Sequence, residues 1–269
     1  MSIDEVVVLT GAAGRIGRAI APLLTRPDRE LRLLDTAPVP DMPPGATLVE
    51  ASIEDADALA RAFAGATAVI HLAGLSSERP WADLLRVNID GTHTLLEAAR
   101  AAGVERVLLA SSIHSVGFEP VERAARDDVL PPRPDTYYGV SKAAMEALGS
   151  LYADRFGMSI VSARICTFQE RPGDGRAAAQ WLSPGDMARL VEASLTFAGG
   201  GHHIVWGVSA NAPAWFSLAA GRAIGYEPQD DAVQERTRDT GSRPPAPDPT
   251  GRPLGGAFTD DEHPVGGTW

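Results

Sequence analysis

Short apolar runs alternate with helical patterns from the start of the chain to Ile165. Most of the runs are continuously apolar, which is typical of parallel strands covered by helices on both faces. They lie at residues 6–10, 31–35, 47–51, 66–73, 106–112 and 159–165, and the helical patterns begin near Ile16, Asp55, Trp81 and Tyr138. The alternation predicts βαβ units and an α/β fold of the Rossmann type, with a doubly wound parallel sheet.

The pattern changes after Thr167. Ser183 and Pro184 are a typical N-cap and first residue of a helix, which we expect to end near Phe197. A strand at 203–208 and a short helix within 215–224 are expected to follow. From Pro228 onward, proline, glycine and charge predict a mobile tail, although Phe258 and Trp269 offer apolar anchors. We expect a core over 1–166 and a small region with a C-terminal extension over 167–269, packed as one compact unit.

Composition narrows the possible partners. The formal net charge is -11, so nucleic acid and anionic membrane surfaces would repel the chain. The single cysteine, Cys166, rules out an intramolecular disulfide framework. Without a signal peptide or a long apolar run, cytoplasmic location is the expectation.

A glycine-rich turn follows the first strand, with the sequence TGAAGRIG from Thr10 to Gly17. Glycines at this place allow a tight turn and a close approach of the backbone to a pyrophosphate, so the turn predicts a dinucleotide site. Asp35 ends the second strand, where a carboxylate can accept hydrogen bonds from ribose hydroxyls and would repel a 2′-phosphate. This favours NAD over NADP, with Arg15 and Arg32 as cations able to pair with a phosphate.

Tyr138 and Lys142 are spaced to share one helix face. A phenol is a poor base at neutral pH, and a neighbouring ammonium stabilises the phenolate. We therefore predict Tyr138 as the base, Lys142 as its activator and Ser112, at the end of the fifth strand, as a hydroxyl that orients the reacting oxygen. Tyr137 is the weaker candidate because no lysine follows it at that spacing.

These motifs resemble the extended short-chain dehydrogenases of the epimerase/dehydratase superfamily. The resemblance rests on Thr10 to Gly17, His71 to Gly74, Asn88 with Gly91 and Thr92, Ser111 with Ser112, and Tyr138 to Lys142. More narrowly, 71–80, Ser112 with His114 and Gly117, 181–183, 205–207, 209–211 and 255–258 resemble the uronate dehydrogenases. Members of that group oxidise C1 of galacturonate or glucuronate with NAD, giving the aldarolactone.

The resemblance implies a set of site residues. For NAD they are Gly11, Ala13, Gly14, Arg15, Ile16, Gly17, Asp35, Ser52, Ile53, Leu72, Ala73, Gly74, Asn88, Tyr138, Lys142 and Ile165. For the sugar acid they are Ser76, Ser112, His114, Tyr138, Thr167 and Arg176, with Arg176 on the carboxylate. No metal is implied. The resemblance also implies a homo-oligomer and an ordered segment around Gly255 to Phe258.

The chain departs from the uronate dehydrogenase pattern at several positions. Ile113 replaces an asparagine, and we expect this to remove a polar group from the sugar pocket. Cys166 and Phe168 are expected to add bulk beside nicotinamide and substrate, and Ser52 replaces an aspartate that commonly faces adenine. Two other functions stay open: a sugar or sugar-nucleotide epimerase or dehydratase, and a non-catalytic dinucleotide sensor.

Overall fold

The computed structural model describes residues 4–126, 129–173, 175–241 and 253–269. The strands are β1 Glu5–Thr10, β2 Arg29–Asp35, β3 Thr47–Glu50, β4 Ala68–His71, β5 Arg106–Ser112, β6 Ser159–Ile165, β7 Thr167–Phe168, β8 Trp181–Leu182 and β9 Gly201–Gly207. Seven of them form one parallel sheet in the order β3-β2-β1-β4-β5-β6-β9, and β7 pairs separately with β8. The predicted Rossmann-type parallel sheet is confirmed, and β4 is shorter than expected.

Helices connect the strands and cover both faces of the sheet. They are α1 Arg15–Ile20, α2 Ala56–Ala62, α3 Trp81–Leu84, α4 Gly91–Ala101, α5 Val121–Ala124, α6 Tyr137–Phe156, α7 Arg176–Ala179, α8 Pro184–Thr196, α9 Ala219–Ala223 and α10 Ala232–Thr240. The helical pattern that begins at Trp81 is interrupted by a π-helical turn at Leu85–Asp90. Gly91 follows this turn, and a Cβ there would come within 2.8 Å of Ile53, so the glycine marks close packing.

The continuously apolar strands are explained by two buried clusters. Val7 and Leu9 of β1 face α1 and α8, where Leu190 packs with them. The intervening Val8 faces the opposite layer of α2, α4 and α6. Because both faces of the sheet are covered, successive strand residues are all buried.

The region after Thr167 adds to this sheet. Its strand β9 pairs with β6 along seven residues, and α8 packs on the face that also holds α1. As predicted, Ser183 caps α8, since its hydroxyl accepts the N–H of Asp186 at 2.9 Å. The short helix expected within 215–224 is α9.

The prediction of a mobile tail was wrong for the described stretches. Residues 232–240 form α10, and 253–269 pack on the core, where Leu254 is buried and the N–H of Gly255 donates to the carbonyl of Gly117 at 2.8 Å. Composition missed this because a few anchoring contacts, Phe258 among them, suffice to hold a polar segment. Residues 242–252 lie outside the described residues. Within the described parts of the chain, no helix has the length and apolar character needed to span a bilayer.

Candidate active site

A groove of about 410 Å³ runs along the carboxyl edge of β1, β2 and β4. Its lining includes most of the predicted cofactor residues, namely Gly11, Gly14, Arg15, Ile16, Gly17, Asp35, Ser52, Ile53, Leu72, Ala73 and Gly74, together with Ser76. Gly11 has φ +71, and a Cβ there would lie 2.6 Å from the backbone nitrogen of Ala73. A side chain at this position would therefore push apart the two loops that form the groove.

Asp35 presents a carboxylate at the end of β2. One oxygen accepts the N–H of Ala13 at 2.9 Å and the other accepts the N–H of Ala37 at 3.0 Å. Each oxygen keeps a further lone pair for ribose hydroxyls. Arg32 donates instead to Glu30 and to backbone carbonyls at 2.7–2.9 Å, so its guanidinium is already engaged. The glycine turn and this carboxylate fit a dinucleotide without a 2′-phosphate.

Several predicted cofactor residues lie beside the groove and do not line it. Ala13 acts through the N–H that it donates to Asp35. Asn88 is 1% exposed, and its amide oxygen accepts the N–H of Leu75 at 2.8 Å while its amide nitrogen donates to Ser141 at 3.0 Å. Asn88 therefore supports the loop that carries Gly74. Ile165 ends β6 and is buried.

His71 is fully buried, and through Thr10 it supports the loop that carries Gly74. Thr92 donates its hydroxyl hydrogen to the carbonyl of Asn88 at 2.6 Å, so it accepts from His71 Nε2 at 3.1 Å. Thr10 then donates to His71 Nδ1 at 2.9 Å and accepts the N–H of Ala73 at 3.3 Å. Burial lowers the pKa of His71 to about 3, so the imidazole is neutral with its hydrogen on Nε2.

The predicted catalytic residues come together where β5 meets α6. Tyr138 is 6% exposed and shares a hydrogen bond with Ser112. The Lys142 ammonium nitrogen lies 5.6 Å from the centre of the Tyr138 ring and donates to the carbonyl of Ala110 at 2.8 Å. Tyr137 is instead 38% exposed and packs edge-on against Trp81. The structure thus places Tyr138, and not its neighbour, beside Ser112 and Lys142.

The same burial controls protonation of this pair. Burial raises the pKa of Tyr138 to about 12, and the hydrogen bond with Ser112 acts in the opposite direction. Burial lowers the pKa of Lys142 to about 8, while the carboxylate of Glu146 opposes that change. At neutral pH the lysine is charged and the tyrosine carries its proton. A cation beside the ring favours the phenolate whenever the proton is removed.

A buried ion pair supports α6 one turn beyond Lys142. Glu146 accepts two hydrogen bonds from Arg164 of β6, both at 2.8 Å, and both side chains are almost fully buried. Ser111 donates to the same carboxylate at 2.6 Å, which agrees with its predicted packing role. The pair joins α6 to β6 and Ser111 joins it to β5, so these contacts hold Tyr138 of α6 beside Ser112 of β5.

Facing Tyr138 lies the predicted substrate histidine, His114. Its Nδ1 is 2.7 Å from a buried carboxylate oxygen of Asp135, its ring is edge-on to Tyr138 at 5.8 Å, and Phe258 stacks on it at 3.8 Å. The Asp135 carboxylate accepts the Nδ1 hydrogen of His114, so Nε2 is the ring nitrogen that can face a ligand. Sequence reasoning missed Asp135, since the pairing joins residues on two separate loops.

Arg176 and Thr167 lie in the part of the chain that follows the predicted core, 167–269. Arg176 donates to the carbonyl of Leu254 at 3.4 Å, and its guanidinium lies 5.2 Å from the centre of the Trp215 ring. The hydroxyl of Thr167 is 3.5 Å from Gln180. Residues 253–269 thus contact both His114, through Phe258, and Arg176, through Leu254. Two of the predicted substrate residues are therefore packed against the same stretch of chain.

Two expectations drawn from the sequence departures were wrong, because the side chains of Ile113 and Phe168 are buried in apolar clusters. Ile113 is 4% exposed and packs in an apolar cluster with Trp206, and Cys166 packs against the same cluster. Phe168 is 2% exposed and belongs to the core with Leu190 of α8. These bulky side chains are absorbed by core packing, since neighbouring apolar residues fill the space around them.

The sheet, the glycine turn and the buried Tyr138–Lys142 pair together define a dinucleotide-binding protein of the Rossmann class. The profile of the NAD dependent epimerase/dehydratase family matches residues 7–169. The chain belongs to this family, and NAD is its cofactor.

Individual relatives extend the likeness over nearly the whole chain. A uronate dehydrogenase of Pseudomonas syringae pv. tomato is 37% identical over 94% of this chain and 92% of its own length. An NAD-dependent glucose-6-phosphate dehydrogenase of Haloferax volcanii is 38% identical over 86% of this chain and 96% of its own. The crystal structure of uronate dehydrogenase from Agrobacterium tumefaciens is 36% identical, with TM-score 0.83, over 97% of this chain and 98% of that one.

Proposed function

We propose that this enzyme is an NAD-dependent dehydrogenase that oxidises the C1 hydroxyl of a hexuronate, galacturonate or glucuronate, to the aldarolactone. The observation that carries the proposal is the placement of Ser112, Tyr138 and Lys142 beside a groove suited to NAD, with His114 facing them. Similarity to uronate dehydrogenases over almost the full chain supports the sugar acid as substrate.

The groove residues and Asp35 would hold the cofactor, which when bound would supply the acceptor for the hydride from C1. Tyr138 first loses its own proton to water and then, as the phenolate, takes the proton of the C1 hydroxyl, while Ser112 donates a hydrogen bond that orients the same oxygen. The positive charge of Lys142 favours the phenolate of Tyr138. Burial of the tyrosine excludes water from the proton transfer between the sugar and the phenolate.

The sugar acid is held between the core, 1–166, and the second region, which we take as 167–269. Arg176 grips the C6 carboxylate, because a guanidinium can donate two parallel hydrogen bonds and an acidic protein needs a local cation for an anionic ligand. His114 Nε2 accepts from a ring hydroxyl, since Asp135 holds the other nitrogen as a donor. Ser76 and Thr167 complete the polar contacts.

A kinetic panel tests this assignment. NADH formation is measured with galacturonate, glucuronate, glucose 6-phosphate, arabinose and a nucleoside diphosphate sugar. We expect the highest kcat/KM with a hexuronate. A preference for glucose 6-phosphate would move the assignment to another anionic aldose, and conversion of the sugar nucleotide without NADH release would identify an epimerase or dehydratase. NAD binding with no turnover of any sugar would identify a sensor.

We also propose a cytoplasmic homo-oligomer. Leu151 and Phe156 on the outer face of α6 are 53% and 46% exposed, and covering them would stabilise an assembly through this helix. The experiment is light scattering of the wild type and of Leu151→Glu. A wild-type protein with the mass of a monomer would refute the oligomer. Fractionation of the source cells tests the location, since the protein should be found in the cytoplasmic fraction.

A further inference from the structure

Glu78 carries a carboxylate that is fully buried and has no part in the proposed chemistry. Its Oε2 accepts the backbone N–H of Tyr138 at 2.7 Å, and its Oε1 accepts that of Tyr137 at 3.3 Å. The first N–H groups of a helix have no partner inside the helix, and a negative charge there is favourable. Glu78 therefore completes the cap that Thr136 begins on α6.

The same carboxylate also holds the end of the chain. Oε1 of Glu78 accepts the N–H of Gly266 at 2.7 Å, across 188 residues of sequence. Gly266 has φ +80, a conformation that favours glycine. Beside it, Arg79 donates to the carbonyl of Trp269 at 3.3 Å. Two adjacent residues of one loop thus dock the C-terminal segment, defined here as 253–269.

Ring contacts lead from this docking point to the substrate side of the site. Trp269 packs edge-on against Phe258 with ring centres 4.5 Å apart, and Phe258 stacks on His114 at 3.8 Å. Glu78 is consequently connected to the site by two routes. One is its direct hydrogen bond to the backbone of Tyr138, and the other runs through the C-terminal segment to His114.

We propose that Glu78 is a positioning residue, which clasps the C-terminal segment to the first turn of α6 and so sets the positions from which Tyr138 and His114 contact the sugar. The inference rests on the proposed function, because it assigns Tyr138 as the base. A clasp of this kind makes the C-terminal segment part of the active site, since its release loosens both residues that face the sugar.

Glu78→Gln is the first test. The amide keeps the size of the side chain but has one oxygen for three N–H donors and no charge. We expect kcat to fall about tenfold or more, with KM for NAD unchanged. Asp186→Asn is the matched control, because Asp186 is equally buried and accepts the N–H groups of Gln229 and Asp230 at 2.8 and 3.0 Å, but lies on α8. Equal losses of kcat in both variants would overturn the proposal, since any buried carboxylate would then have the same effect.

A chain that ends at Val265 is the second test and does not depend on the first variant folding. It keeps Glu78 but lacks the Gly266 donor and Trp269, and we expect a loss of kcat similar to that of Glu78→Gln. In the double variant the two losses should not multiply, because each change alone already releases the C-terminal segment from Glu78. Losses that multiply, or an unchanged kcat in the truncated chain, would refute the clasp.

Hydrogen exchange separates this proposal from the proposed function. In Glu78→Gln the amides of Tyr138 and Gly266 should both exchange faster than in the wild type and in Asp186→Asn. If Gly266 stays protected, Glu78 does not hold the C-terminal segment. This measurement needs no substrate, so it decides the clasp even if the wild type oxidises no uronate.

Discussion

The cofactor half of the site is built from turns that directly follow strands, whereas the substrate half is held by contacts between residues far apart in the chain. In the cofactor half, Gly11 directly follows β1 and Asp35 ends β2, so the parallel sheet itself places them. In the substrate half, Arg176 contacts Leu254 and Glu78 contacts Gly266, 78 and 188 residues away. The first half therefore depends on the sheet, and the second depends on where the C-terminal segment docks.

Tyr138 lies where the two halves meet, and its removal should have the largest effect. Tyr138→Phe should lower kcat about a thousandfold, since it removes the group that accepts the proton. NAD binding, measured by calorimetry, should stay near the wild-type value. Tyr137→Phe is the matched control, and we expect its activity to remain close to wild type. Comparable losses in the two variants would contradict the assignment of the base.

A charge change on the substrate side should spare the cofactor side. Arg176→Gln should raise KM for galacturonate about tenfold to a hundredfold, because a charge-assisted hydrogen bond to the carboxylate is lost. KM for NAD should not change. Arg171→Gln, in the same loop but paired with Asp239 at the surface, serves as control. A KM for galacturonate that is unaffected by loss of Arg176 would place the carboxylate elsewhere.

A change at Asp35 should affect binding of the cofactor. Asp35→Ser should weaken NAD binding about tenfold, since ribose hydroxyls lose a charged acceptor, and should strengthen NADP binding by removing like charge. Kd is measured by titration calorimetry for both cofactors. Glu50→Gln, at the end of the neighbouring strand β3, should leave both values unchanged. If Asp35→Ser left the preference for NAD intact, the carboxylate would not be the discriminating group.

The smallest effect on activity is expected at His71, where the outcome is seen in stability. The folded-state pKa of about 3 lies below the ordinary 6.5, so the folded protein excludes a proton that the unfolded chain binds. The contribution of neutral His71 to the free energy of unfolding is therefore full above pH 6.5 and is lost as pH falls towards 3. Between pH 7 and pH 5 the free energy of unfolding should drop by about 2 kcal/mol more in the wild type than in His71→Gln. Denaturant titrations at both values check this, and parallel pH profiles of the two proteins would contradict a neutral buried histidine.

Sequence reasoning succeeded where the determinants are local. Apolar runs predict the strands, the glycine turn and Asp35 predict the nucleotide side, and the spacing of Tyr138 and Lys142 predicts their shared helix face. It failed where tertiary contacts decide. No sequence signal pairs Asp135 with His114 or Glu78 with Gly266, and composition alone mistook a docked segment for a mobile tail. The burial of Ile113 and Phe168 in the core likewise depends on neighbours that only the fold supplies.

The most direct test of the account uses galacturonate that carries deuterium at C1. Incubation with NAD and the wild-type enzyme should give one deuterated NADH for each aldarolactone, as measured by mass spectrometry of the cofactor and NMR of the sugar. This result would establish that the hydrogen leaves C1 as hydride. Deuterium retained in the sugar, without net NADH, would contradict the dehydrogenase assignment.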